Sequence, residues 1–338
     1  MSGMSAQAAT GGKALHTCMV LHPDRSITIL DEPQLDKLDQ LAATPGTLVW
    51  LDIGDPQPDD IGLLQRELGL HALAIEDLER RGQRPKIDSY PEQHVIVTYE
   101  VRGGGAAELD LGEIHLILNS RSLVSVHWGP SPALEDVRER IHQHAEAVGQ
   151  TVGALLYAIL DAVVDGYFPL LDRLSDRIDA LEDEIVSGNQ GRSTLRDVLA
   201  IKRQLLELRR VLAPQRDVAN RLLRRDIELL DNEAAPYYQD LYDHLVRVLD
   251  ALDLYRDLVA STLDANLSVT SNTLNAVMKR LTAFTVVIML PTLIASIYGM
   301  NFAALPGLQS AVAFWISIAA MVLLMVATAV YFKLKDWF

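Results

Sequence analysis

One cysteine is all the chain contains. In 338 residues Cys18 stands alone, which excludes an intramolecular disulfide framework and a zinc site built from several thiolates of one chain. A basic surplus is also missing. Lys and Arg number 30 against 45 Asp and Glu, a net charge of −15, so a phosphate-neutralising nucleic-acid surface is excluded. There is no phosphate-loop glycine pattern, no HExxH and no GxSxG. No catalytic constellation stands out, and an ATP-driven pump is excluded. The histidines are scattered, and His142 and His144, two apart, fall on different faces of a helix. No apolar signal segment opens the chain: MSGMSAQAATGGKAL is small and polar, and residues 1–13 read as a disordered start.

What is present is apolar sequence kept apart from charge. Mean hydropathy is +0.13 although 22% of residues are charged, the signature of a membrane protein with a large acidic soluble part. Leu281 to Phe302 and Ala303 to Phe332 carry no Asp, Glu, Lys or Arg. Each supplies the roughly 20 helical residues that a bilayer core needs. Lys279 and Arg280 precede the first run, Lys333 and Lys335 follow the second, and the loop between them has no positive charge. That asymmetry predicts both termini in the cytoplasm. The acidic excess points to hard cations as partners.

Residues 14–130 read as a cytoplasmic α/β domain. LHTCMVLH, SITIL, TLVWLDI, HVIVTYEV, LGEIHLIL and SLVSVHW have strand character, with turns at Gly103 to Gly105 and at Asn119-Ser120. PQLDKLDQLAA, DDIGLLQREL and HALAIEDLERR read as helices. Residues 131–236 are a helical region, with helices over Ser131 to Gly149, Val152 to Ser187 (long and amphipathic) and Arg192 to Asp226.

From Pro236 to Pro291 there is neither Gly nor Pro, so 237–298 reads as one stalk helix continuing into the first transmembrane helix, about 93 Å long. Leu241, Leu245, Val248, Leu252, Tyr255 and Val259 alternate spacings of four and three, which predicts a coiled-coil seam between stalks. Asp243, Asp250, Asp257 and Asp264 repeat every seven residues. The same line continues as Ser268, Ser271, Asn275, Met278, Thr282, Thr285, Met289, Thr292 and Ser296. Every hydroxyl of the first span except the Tyr298 phenol lies on it. One polar and one apolar face is what a helix needs between a pore and lipid. An uncharged oxygen lining suits a cation that keeps its water shell, as Mg²⁺ does. Met278, Leu281 and Met289 could close such a pore by dewetting.

Tyr298-Gly299-Met300-Asn301-Phe302, at the outer end of the first of two C-terminal spans, resembles the YGMN signature of the CorA magnesium transporters. The near-terminal second span, the Lys333–Trp337 tail and the segments HALAIEDLERRGQRPKIDSY, DGYFPLLDRLSDRIDALEDEI and APYYQDLYDH extend the similarity over nearly the whole chain. The resemblance implies an α/β N-terminal cytoplasmic domain followed by a long helical stalk and two C-terminal transmembrane helices, in a membrane homo-oligomer. It implies a homopentamer in the inner membrane that conducts Mg²⁺, with Co²⁺ or Ni²⁺ as further ions. An outer loop at 299–310 carries the filter, 311–332 is the second span and 333–338 a cytoplasmic basic tail.

By that resemblance Asn301 belongs to the selectivity filter, with Gly299 and Met300 shaping the loop. Asn275, Met278, Leu281, Met289 and Thr292 match pore positions, Asp264 an inner acidic ring, and Thr285 and Ser296 share the polar line. Leu281 stands where the polar line alone selects Thr282. Cytosolic Mg²⁺ is expected to close the pore by binding between subunits. There Asp77 with Glu76 would face Asp240, with Asp243 and His244 close by. Two departures stand out: residues 303–310 carry no acid, and the tail is only weakly basic. The alternatives are a zinc transporter of the ZntB branch coupled to protons, and a membrane-anchored coiled-coil scaffold or sensor without transport.

Overall fold

The computed structural model describes residues 15–31, 44–103, 109–143, 149, 151–187, 192–224, 227, 234–300 and 310–337. Two units result, one of residues 1–182 and 191–260, the other of 183–190 and 261–338.

The first unit is built on a seven-stranded sheet. Its strands are β1 (Leu15–Leu21), β2 (Ile27–Asp31), β3 (Leu48–Gly54), β4 (Lys86–Tyr90), β5 (Gln93–Gly103), β6 (Asp110–Leu118) and β7 (Ser122–His127), in the order β2-β1-β3-β7-β6-β5-β4. Only β3 and β7 run parallel; the other pairs are antiparallel. Six strands fall where the alternating apolar runs predicted them. The seventh, β4, was not expected, because KIDSY has one buried apolar residue, Ile87. Its pairing with β5 makes it a strand. Asn119 closes the β6–β7 hairpin through its N–H to the Ser122 carbonyl, 2.9 Å, as the Asn119-Ser120 pair predicted.

Both faces of the sheet are covered. Helices α1 (Pro58–Glu67) and α2 (Ala72–Glu79) pack Leu64, Ala74 and Leu78 against Val49, Leu51, Ile53, Val124 and Val126. On the other face lie α3 (Pro132–Gln143), α4 (Val152–Asp165) and, after α5 (Phe168–Val186) in the chain, α6 (Arg192–Leu223). Among these, α4 packs on β5 and β7, and α6 on β4 and β5. There Asp52 accepts from Ser125 Oγ at 2.5 Å and pairs with Arg138 of α3 at 2.8 Å.

The expected single helix over Val152 to Ser187 is two, broken at Gly166 and Tyr167. Tyr167 is fully buried and its hydroxyl donates to the Tyr99 carbonyl at 2.7 Å, so tertiary packing holds the break. Residues 144–148, part of the expected Ser131–Gly149 helix, lie outside the described residues, as do residues 1–13 and all of PQLDKLDQLAA.

The loop that leads into β4 is held by one carboxylate. Glu113 accepts from the backbone N–H groups of Gly82 (2.6 Å) and Gln83 (3.1 Å) and contacts His115 Nε2 at 2.9 Å. Gly82 sits at φ +86°, in the left-handed region open to glycine. Burial alone would raise the Glu113 pKa, but these bonds outweigh it and hold the carboxyl below its usual value. A depressed folded-state pKa adds stability above the unfolded value of about 4.3, and that stability is lost as pH falls through the folded pKa. Glu113→Ala is expected to destabilise the domain by about 1–3 kcal/mol at neutral pH, the effect of stranding buried donors. The deficit should shrink in acid; chemical unfolding followed by tryptophan fluorescence at two pH values checks both.

The helix α7 (Ala235–Tyr298) runs unbroken as the sequence predicted, with Pro291 inside it, and α8 (Ala311–Leu334) follows. Both are long and apolar enough to cross a membrane. Val152–Val186 also meets that length and composition, but its apolar window is 56% buried within the protein, so it is core. The expected coiled-coil seam is corrected. Leu241, Leu245, Val248, Leu252 and Val259 are each at most 4% exposed within one chain. Leu241 and Leu245 line a small gap with Leu160, Val164, Val218 and Ala219, and Arg209 of α6 pairs with Asp253. A four-three repeat marks an apolar stripe whichever helix covers it. Here α4 and α6 cover it.

Candidate functional site

Two groups of residues carry the chemistry, one in each unit. In the second, the polar line of α7 is exposed in the single protomer, as is every residue from 271 to 282. Asp264, Ser268, Ser271, Asn275, Met278, Thr282, Thr285, Met289, Thr292 and Ser296 are all exposed. Positions 283, 286, 287, 290, 291 and 294 form the covered side, with Ala283 fully buried. Leu281 is exposed as well, at 58%, so exposure does not separate it from Thr282.

The threonines have a defined hydrogen-bonding state. Thr282, Thr285 and Thr292 each donate Oγ1–H to a carbonyl four residues back, Met278, Leu281 and Ile288, at 2.8 Å. A hydroxyl has one proton and two lone pairs. With the proton tied to the helix, each Oγ1 is left as an acceptor. That is the polarity required by a hydrated cation, whose shell points its water hydrogens outward. Ser317 and Thr328 of α8 bond back in the same way, so it is the alignment of the α7 set that is particular.

At the cytoplasmic end of this line, Asn275, Met278 and Thr282 border a polar cavity of about 470 Å³ with Lys279, Arg280, Asp336 and Trp337. At the other end the helix closes through Gly299 N–H to the Ala295 carbonyl at 2.9 Å and Met300 N–H to the Ile297 carbonyl at 3.3 Å. A Cβ on Gly299 would meet the Ala295 oxygen at 3.3 Å, so a side chain there would press on the last turn. Asn301 and the loop after it lie outside the described residues.

In the first unit the residues expected to bind a regulatory ion fall into two places. Glu76 pairs with Arg80 at 2.7 Å. Asp77 of α2 is bound by Lys86 of β4, Nζ to Oδ2 2.5 Å, and the same ammonium reaches Asp88 at 2.8 Å. Burial alone would lower the Lys86 pKa, but the two carboxylates outweigh it and keep it raised. On α7, Asp243 accepts from Gln239 at 2.9 Å, and His244 Nε2 lies 3.6 Å from Asp240.

The structure adds two ligand candidates that the sequence reading missed. Asp161 and Asp165 of α4 bring carboxylate oxygens within 4.8 Å of each other and of a His244 ring nitrogen. His244 Nδ1 is buried and has no hydrogen-bond partner among the described residues. Burial and then the neighbouring Asp165 raise the Asp161 pKa, with Arg140 acting against them. The Tyr157 phenol is pushed up to about 12 by burial, then by Asp161 and Asp240. Facing carboxylates, an orphaned imidazole nitrogen and upward-shifted acids fit a divalent cation, which would remove the repulsion. The available signal was the i, i+4 pair of acids in an otherwise apolar helix, VGALLYAILDAVVD.

Residues 45–334 match the family described as CorA-like Mg2+ transporter protein. The cobalt/magnesium transport protein CorA of Thermotoga maritima is 34% identical over 297 residues, 86% of this chain and 84% of that protein. A zinc transport protein ZntB of Yersinia pseudotuberculosis is 24% identical, over 85% of this chain and 87% of that one. The solved CorA magnesium transporter of Methanocaldococcus jannaschii superposes with a TM-score of 0.81 at 23% identity, covering 96% of this chain and 98% of the other. With its mixed sheet, long helix and two apolar C-terminal helices, the chain belongs to the CorA-like family of divalent cation transporters, and it is not an enzyme.

Proposed function

We propose that this protein conducts Mg²⁺, with Co²⁺ or Ni²⁺ as further ions, into the cell down the electrochemical gradient, and that cytoplasmic Mg²⁺ closes it. The observation that carries the reading is the continuous exposed line on α7, where three threonine oxygens face outward as acceptors with their protons held by the helix. Around a symmetry axis these lines form rings that contact an ion's water shell without stripping it, as Mg²⁺ requires. The assembly is a homopentamer in the inner membrane with both termini cytoplasmic, which the Lys279/Arg280 and Lys333/Lys335 flanks support. Asn301, Gly299 and Met300 form the outer filter. The driving force on a divalent ion is about 4.6 kcal/mol per 100 mV.

Asp161, Asp165 and His244, with Asp240 beside them, hold the regulatory ion, and Asp77 and Glu76 are supplied across a subunit boundary. Two carboxylates suit Mg²⁺, and the imidazole extends the site to Co²⁺, Ni²⁺ or Zn²⁺. That nitrogen ligand, together with the similarity to a zinc transport protein, favours the second reading, a proton-coupled zinc transporter.

Flux into proteoliposomes loaded with a divalent-sensitive dye separates the two. Mg²⁺ uptake indifferent to a proton gradient is expected. Zinc uptake that follows the proton gradient, with little Mg²⁺ flux, would replace the first reading by the second. In the same assay Thr292→Val, which keeps shape and removes the acceptor, should lower Mg²⁺ flux at least about tenfold, a loss repeated in every subunit. Thr292→Ser should stay near wild type. Equal flux in both variants would remove the threonine oxygens from the conduction path.

A further inference from the structure

Lys86 occupies a position that a metal ion would contest. Its ammonium lies 2.5 Å from Asp77 Oδ2 and 2.8 Å from Asp88 Oδ2. The lysine side chain is 28% exposed and that of Asp77 18%, so the contact is neither a loose surface pair nor sealed from solvent. Neither partner is free to drift. Lys86 opens β4 in register with Val97 of β5, and the preceding loop is pinned by the two N–H bonds to Glu113. Tyr99 adds a third tie, its hydroxyl donating to the Gln83 carbonyl at 2.5 Å. Asp77 sits on α2, whose first turn is capped by His71 accepting from Leu73 N–H and whose core face is fixed by the buried Ala74 and Leu78.

We propose that Lys86 is a tethered cation that competes with the divalent ion for the Asp77 carboxylate, and so sets the Mg²⁺ concentration at which the cytoplasmic domains engage. The inference rests on the reading of Asp77 as a regulatory ligand. A divalent ion approaching Asp77 must displace the ammonium from Oδ2 or bind beside it against its charge. Either way affinity falls. When the ion leaves, Lys86 returns to Asp77 and neutralises it, which softens the repulsion between facing acids in the ion-free state. Asp88 takes part because it shares the ammonium: the more strongly Asp88 holds Lys86, the more easily Asp77 is released to the ion.

The test uses the full-length protein in detergent, titrated with MgCl₂ and followed by resistance to proteolysis and by calorimetry. Lys86→Gln is expected to lower the Mg²⁺ midpoint about three- to fivefold, the weight of a partly exposed ion pair. Lys86→Arg, which keeps the charge, should stay near wild type. Asp88→Asn, which leaves Lys86 to Asp77 alone, should raise the midpoint. A purely structural role for Lys86 predicts an unchanged or higher midpoint in Lys86→Gln, and that result overturns the proposal. If Lys86→Gln does not fold, Asp88→Asn decides alone, and an unchanged or lower midpoint there is equally fatal. Asp77→Asn separates the two layers. A raised midpoint in Asp77→Asn with no effect of Lys86→Gln leaves the regulatory reading standing without the competition, whereas no effect of Asp77→Asn removes both.

Discussion

Mg²⁺ flux through the Asn301→Ala protein is expected to fall at least about a hundredfold, with folding and assembly intact. The helix that leads to this residue closes through the Gly299 and Met300 N–H groups, and a side chain at the glycine would press on the Ala295 carbonyl at 3.3 Å. A carboxamide at that point offers both an acceptor and donors to the shell of an arriving ion. Residues 303–310 contain no acid to gather cations, so on the proposed reading capture at the outer mouth would depend on Asn301 more heavily than it would beside a ring of carboxylates. A charge-assisted hydrogen bond contributes roughly 1.5–3 kcal/mol, and its loss is repeated in each subunit. Dye-reported flux from protein shown to be monodisperse checks this. Flux within a factor of a few of wild type would take the filter away from Asn301.

The second large effect concerns the ion proposed to close the pore. In the double variant Asp161→Asn, Asp165→Asn, the Mg²⁺ concentration giving half-maximal protection from proteolysis should rise about tenfold or more, because each ionised ligand lost is on the order of 1.4 kcal/mol of binding. The ion-free protein should change in the opposite sense. Burial and Asp165 raise the Asp161 pKa. A raised folded-state pKa means that stability present below the unfolded value of about 3.9 is lost as pH rises through the folded one. Asparagine cannot ionise, so without Mg²⁺ the variant should be more stable than wild type at neutral pH, and with saturating Mg²⁺ it should gain less. Thermal unfolding with and without the ion measures both. Equal gains in the two proteins would mean that no ion uses these carboxylates.

The two effects differ in how far they could be read from the chain. The Gly299–Asn301 tripeptide, the charge-free spans and the polar line are local or periodic features, and each shows in the sequence itself. The ion site does not. Asp77, Asp240 and His244 were expected from motif segments; within the chain His244 lies near Asp240 and also near Asp161 and Asp165, and Asp77 pairs with Lys86. The contacts with His244 join helices distant in sequence, and no spacing rule reaches that far; Asp77 and Lys86, nine residues apart, meet because β4 pairs with β5.

By itself, the sequence determined where the membrane segments lie, which face of the long helix is polar, and that the soluble part is α/β. These properties follow from composition and period, because bilayer thickness and helix pitch act on each segment separately. Tertiary structure alone decided what covers each apolar stripe. The repeat from Leu241 to Val259 fits a neighbouring stalk as well as it fits α4 and α6, and the chain buries it internally. Packing likewise broke Val152–Val186 at Gly166 and made a strand of Lys86–Tyr90, whose pattern is too short to declare itself. The strand forms because its backbone pairs with β5; for the apolar stripes the reason is that hydrophobic burial is non-directional. A stripe therefore states that it must be covered, and only the folded chain supplies the partner.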